Sequence, residues 1–173
     1  SVLYILEVEK EMQEAEAKTR EEERFYRRLL ETLPGFVYRC KNDRFWTMEY
    51  LSDNFQKITG YRPDEVIGNK FLSFNDLIHP DHQERIWVKW QTELRKHKTI
   101  QDEYPIITKS GEIHWVFEQS CGIYDENGNV QAIQGYIVDV TGRKMIEERL
   151  VESEKKYRAL FEASTDAVFL MIA

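Results

Sequence analysis

The spacing of apolar positions changes along the chain, and each change marks an element. From Ile5 to Leu33 a heptad seam runs through Ile5, Val8, Met12, Ala15, Thr19, Glu22, Tyr26, Leu29 and Leu33. Thr19 and Glu22 weaken its middle, and Glu, Lys and Arg crowd the other faces. A helix of about 40 Å, at 1.5 Å per residue, cannot bury itself against a small domain. The seam predicts a parallel coiled coil with a second copy; a single solvated helix is the alternative. Pro34-Gly35 ends the helix in either case.

The period then shortens to two. Phe36–Lys41 reads as a strand, Asn42-Asp43-Arg44 as a turn and Phe45–Leu51 as a second strand, both rich in aromatic residues. Ser52 or Asp53 is placed to cap a short helix over Asn54–Thr59, and Gly60 to stop it. Pro63 opens another turn over Asp64–Ile67, closed by Gly68, and Phe71–Ile78 reads as a third short helix. Asp81–Lys96 is an amphipathic helix with Ile86, Trp87, Trp90 and Leu94 on its apolar face, and Asp81 and Glu84 spaced as a capping box. Three strands follow: Ile100–Thr108, Glu112–Tyr124 and Val130–Val140, with turns at Lys109-Ser110-Gly111 and at 125–129. At Asp139-Val140-Thr141 the strand pattern becomes a charged helix running to about Ala163, with a seam of Ile146, Leu150, Ser153, Tyr157 and Leu160. Asp166–Ile172 reads as a strand.

The two charged helices are related. Glu23–Glu31 aligns with Glu154–Glu162 at an offset of 131 residues, and Phe36-Val37-Tyr38 falls on Ala167-Val168-Phe169. The chain therefore reads as one unit plus the start of another. The expected layout is a helix over 1–33, a domain over 34–141, a linker helix over 142–163 and the truncated first strand of a second unit over 164–173. Two strands, then helices, then a three-strand meander predict an α+β fold: a five-stranded antiparallel sheet with helices on one face.

Composition narrows the function. A net charge of −7 with no basic block argues against nucleic acid, whose phosphates demand a positive surface. No apolar run approaches the roughly 18 residues that span a bilayer, so no direct membrane contact is expected of the chain itself, although a tether elsewhere in a parent stays open. Cys40 and Cys121 lack CxxC spacing and read as buried thiols of a reducing compartment, hence a cytoplasmic location.

In this order and spacing, Tyr50–Tyr61, Asp64–Gly68, Leu77–Asp81, Thr108–Trp115, Gly128, Gly135 and Asp139-Val140-Thr141 resemble a PAS sensor domain with a trailing PAC motif. The match spans roughly residues 26–144 and restarts at the C-terminal end. The resemblance implies sheet order 2-1-5-4-3, which places one strand between Cys40 and Cys121 and leaves them too far apart for a disulfide. It implies a sensor of small molecules, light, oxygen or redox state that signals to a kinase, cyclase or phosphodiesterase through flanking coiled coils. A sensor histidine kinase is the expected parent, acting as a homodimer through those helices and relaying to an adjacent PAS or effector domain. A cyclic-dinucleotide enzyme and a ligand-free dimerisation spacer are the alternatives.

The resemblance also assigns residues. Asp139 and Thr141 form the output junction, with Thr141 able to cap the outgoing helix. Glu65 and Lys109 form a salt bridge. Tyr38, Trp90, Val116, Glu118, Ile133 and Ile137 are candidates to line an inner pocket. Apolarity alone would instead turn Trp115, Phe117 and Cys121 inward and leave Glu118 exposed. A carboxylate in a pocket needs a partner or a ligand.

Candidate chemistry is thin elsewhere. His79 and His82 lack the further ligands of a zinc site. For haem, His82 and His97 are the candidate ligands, and both read as solvent-facing. Asn69-Lys70-Phe71-Leu72 lacks the cysteine of flavin photochemistry. Neither cofactor is expected. Cys40 or Cys121 with His114 lacks an ordered third group, so the fragment is not expected to be an enzyme.

Overall fold

The structure, a computed structural model, describes residues 1–172. Ala173, the last residue of the expected second-unit strand, lies outside the described residues. Helix α1 spans Val2–Thr32 and buries none of its side chains. It stops because Pro34 disfavours helical backbone at Leu33, which is extended at φ −67° and ψ 139°.

Strands β1 (Gly35–Cys40) and β2 (Met48–Leu51) follow. Four short helical pieces come next: α2 (Asn54–Thr59), α3 (Pro63–Val66), a 3-10 turn at Ile67–Asn69 and α4 (Phe74–Leu77). Helix α5 (Pro80–Leu94) leads to β3 (Ile100–Ile107), β4 (Ile113–Tyr124), β5 (Val130–Asp139) and helix α6 (Thr141–Ile172). The strands form one antiparallel sheet in the order β2-β1-β5-β4-β3. A Cβ on Gly35 would lie 2.1 Å from the Ile137 carbonyl oxygen, so only glycine lets β1 start this close to β5.

The core lies between the inner sheet face and the helices. Ile86, Trp90 and Leu94 of α5 are buried against Phe36, Ile100, Tyr104, Ile106, Ile133 and Ile137. Trp87 is only partly buried and lies over Trp46, with ring centroids 5.3 Å apart. Cys40 and Cys121 are unpaired, and β5 separates their strands.

Several local expectations change. Phe45, Trp46 and Thr47 are not strand. The Asp43 carboxylate accepts from the backbone of Phe45 and Thr47 and from the Thr47 hydroxyl, curling the chain so that Trp46 enters the core at φ 50°. Neither Ser52 nor Asp53 caps α2 with its side chain; the Ser52 hydroxyl instead accepts from the backbone N–H of Val37 in β1. The third short helix begins later than expected, because the capping box of Ser73 and Asp76 sets its start. Helix α5 is capped by the His79 ring rather than Asp81, and Glu84 reaches away to Arg44.

The largest correction is at the C-terminal end. Asp166–Ile172 is helix, not strand, because α6 continues unbroken from Thr141. A lone strand leaves its backbone groups without a sheet partner, whereas a helix satisfies them within itself.

Candidate functional site

The inner face of the sheet carries a carboxylate where a core would ordinarily be apolar. Val116, Glu118 and Ser120 alternate inward along β4, and Glu118 is 4% exposed. The inward reading implied by the family resemblance therefore holds, against apolarity. Trp115, Phe117 and Cys121 lie half-buried on the outer face.

Both Glu118 oxygens are satisfied. The Tyr38 hydroxyl from β1 donates to Oε1 and the Tyr104 hydroxyl from β3 donates to Oε2. Burial pushes the Glu118 carboxyl up to about 7, against the opposing pull of the two tyrosine donors. Asp102, its direct cross-strand partner on β3, adds a like charge. Asp102 is itself held by Arg85 and Lys89 of α5 at 2.6 and 3.4 Å. Burial likewise raises the hydroxyls of Tyr38 and Tyr104 and the Cys40 thiol, so all three stay neutral.

Around this cluster lies a cavity of about 10 Å³, room for no more than a single water. Tyr38, Trp90 and Glu118 line it as expected, together with Tyr104, Trp46 and Phe74. Val116, Ile133 and Ile137 are fully buried but do not line it. Tyr104 is the partner that sequence reasoning missed. Its signal was the β3 alternation: Tyr104 pairs with inward-facing Val116, so it shares that face.

The second locus is the junction of β5 and α6. Asp139 Oδ1 accepts from the Thr141 backbone N–H at 2.8 Å, and Oδ2 lies 2.8 Å from His114 Nδ1. Asp139 bonds nearby backbone, as its carboxylate can, and it rather than the Thr141 hydroxyl satisfies the first N–H of the helix. The Thr141 hydroxyl accepts from the Trp115 N–H of β4 at 2.9 Å and pins the helix start to the sheet. Burial would raise the Asp139 carboxyl, but the donors from Thr141 and His114 outweigh it and hold it low. Glu103 on β3 completes the clasp, binding both Arg143 and Lys144 in the first turn of α6. The Lys144 ammonium, then Arg143, hold Glu103 below the usual carboxylate range.

The two remaining joints brace the other side. Lys109 Nζ meets Glu65 Oε1 at 2.8 Å and lies over the Tyr61 ring, tying the β3–β4 turn to α3. The buried Asn54 amide donates to the carbonyls of Leu30, Leu33 and Gly35. It thereby fastens the last turn of α1 to β1, a link with no local signal at Asn54 to single it out. Among the described residues no helix is long and apolar enough to cross a membrane.

Comparison with known proteins agrees with this architecture. The family model for the PAS fold matches residues 48–137. A methyl sulfide methyltransferase-associated sensor of Methanosarcina acetivorans is 24% identical over 148 residues, covering 84% of this chain and 15% of that protein. The two-component sensor PprA of Pseudomonas aeruginosa is 24% identical over 139 residues, 80% of this chain and 15% of its own length. The chain thus spans about 15% of these relatives. Among solved structures, a sensory box histidine kinase/response regulator from Burkholderia thailandensis superposes with a TM-score of 0.63 at 26% identity, covering 77% of this chain and 97% of that one. A β2-β1-β5-β4-β3 sheet clasped by short helices and a match across residues 48–137 lead to one conclusion: the chain belongs to the PAS fold family.

Proposed function

We propose that this chain is the sensing and relay module of a sensor histidine kinase, working in the cytoplasm as a homodimer. In this reading the chain is not itself an enzyme. α1 and α6 pair with their counterparts in a second copy, and α6 hands the signal to an adjacent PAS or effector domain of the same chain. The observation that carries the proposal is the output junction: β5, which lies between the strands of Tyr38 and Glu118, runs directly into α6, and three independent contacts hold the first turn of the helix. The seam residues Ile5, Met12, Tyr26 and Leu29 of α1, and Ile146, Leu150, Tyr157 and Leu160 of α6, are exposed, as unpaired coiled-coil strands would leave them. The sensor names of the relatives support the same reading. A diguanylate cyclase or phosphodiesterase parent is the alternative; a PAS/PAC domain of a Marinobacter aquaeolei diguanylate cyclase shares the fold.

The test is phosphorylation of the full-length parent. Asp139→Ala with Thr141→Ala is expected to leave the domain folded and to disconnect stimulus from output. Unchanged switching would remove the junction from the mechanism. One observation favours a second reading, a ligand-free dimerisation spacer: the interior is filled almost completely by side chains. Native mass spectrometry of freshly purified protein separates the two, since an organic ligand retained in the core excludes the spacer.

A further inference from the structure

A cavity of about 10 Å³ admits no organic ligand without rearrangement, yet it encloses a carboxyl group with no cation against it. We propose that the ligand of this interior is the proton: Glu118 binds and releases it inside the closed core, and β3 carries the change to α6. This deepens the relay reading and rests on it.

Hydrogen-bond counting supports the assignment. As a carboxylate, Glu118 accepts one hydroxyl on each oxygen, and all three groups are satisfied. A neutral carboxyl carries a proton of its own on one of those oxygens. That proton needs an acceptor of its own: either the tyrosine facing that oxygen accepts it and turns its own O–H elsewhere, or another buried oxygen takes it. A spare acceptor lies in the same interior. Ser120, two positions along the same face of β4, has a buried hydroxyl that completes no full hydrogen bond but lies near enough to Glu118 to favour its charged form. The two protonation states thus require two different hydrogen-bond arrangements of one closed cluster. The proton comes from bulk water and returns to it, and no bond between heavy atoms changes.

The surroundings set the sign. β1 presents Tyr38 and Cys40, β3 presents Tyr104 and Asp102, and β5 presents the apolar Ile133 and Ile137. Arg85 and Lys89 of α5 are engaged by Asp102. Among the described residues nothing in the cluster supplies a full positive charge to hold Glu118 ionised, and burial raises its carboxyl to about 7.

The path outward is one residue long. Tyr104 and Glu103 are neighbours on β3 and point to opposite faces of the sheet. Tyr104 holds Glu118, while Glu103 holds Arg143 and Lys144 of α6. A change in how the Tyr104 hydroxyl bonds Glu118 therefore acts on the strand that clasps the output helix.

The experiment is carbon NMR of the 173-residue chain labelled at the glutamate side-chain carboxyl, titrated between about pH 5.5 and about pH 8.5, with amide exchange at residues 141–147. One carboxyl carbon is expected to titrate with a midpoint near 7 and to vanish in Glu118→Gln. Exchange in the first turn of α6 is expected to change through the same midpoint. If Glu118→Gln does not fold, Tyr104→Phe serves: losing one donor to the charged form should move the midpoint upward. A carboxyl that keeps one protonation state throughout, or one that titrates without altering α6, overturns the proposal. Kinase output is not part of this readout, so an incorrect kinase assignment would leave the titration standing, and a flat titration would leave the kinase assignment standing.

Discussion

Replacing Glu118 with glutamine should change how stability depends on pH more than it changes stability itself. The side chain is buried, and its carboxyl is raised from an ordinary value of 4.5 to about 7. In the window between these values the folded protein holds a proton that the unfolded chain has released. The stability this group contributes is full below 4.5 and is lost as pH rises through 7. The whole loss is about 3 kcal/mol at about 1.4 kcal/mol per pKa unit. About 2 kcal/mol of it falls between about pH 5.5 and about pH 8.5, because part of the window lies at lower pH. Urea unfolding of wild type and Glu118→Gln at several pH values measures it directly, with the denaturant slope checked for constancy. The difference between the two proteins should shift by about 2 kcal/mol across that range, in favour of the variant as pH rises. The absolute offset is of less interest, since glutamine leaves one tyrosine hydroxyl with a poorer partner. Parallel curves would show that Glu118 keeps one protonation state in the folded chain, and the reasoning from burial would fail.

Asp139 and Glu103 should respond with the opposite sign. Both carboxyls are held low, so their contribution is present above the ordinary carboxylate range and lost as pH falls through their folded values. Amide chemical shifts of Thr141 and Trp115 should report release of the junction in acid, and shifts that stay constant would argue against it. Asp139→Ala should cost about 1 kcal/mol in thermal or urea unfolding, as for a lost helix cap, and a change within error would deny it the capping role. Glu103→Ala should speed amide exchange at Arg143 and Lys144 while leaving the core amides of β4 protected. If α1 pairs with a second copy as proposed, removing residues 1–33 should lower the solution mass toward that of a monomer in sedimentation equilibrium, and an unchanged mass would count against pairing through α1.

Much of the scaffold was legible because its signals are local. Gly60 and Pro63 punctuate the short helices, and the turns at 109–111 and 125–129 divide the three-strand meander. The inward orientation of Glu118 was not local. Apolarity favours Phe117 and Trp115 as the buried set, and only the inward face implied by the family resemblance turned the strand the right way. Tyr104 and Glu103 were missed because their roles depend on what lies across β4 and on where α6 begins. The Asp43 loop was read as a tight turn because Phe45 and Trp46 have strong strand preferences. A side chain bonding three groups of its own loop overrides that preference. The Asp166–Ile172 helix shows the same competition in reverse: apolar content suggested a strand, but with no neighbouring strand the helix prevails.

The relay claim depends on the rotational phase of α6, and phase can be changed without touching the domain. Two residues inserted after Leu150 in the full-length parent turn the downstream seam by about 200°, whereas seven bring it back to within about 20°. Phosphorylation of the parent, with and without stimulus, is the measurement. Switching should survive the seven-residue insertion and be abolished or reversed by the two-residue one. Equal switching in both would contradict the account, because a signal carried through paired helices cannot ignore which face they present.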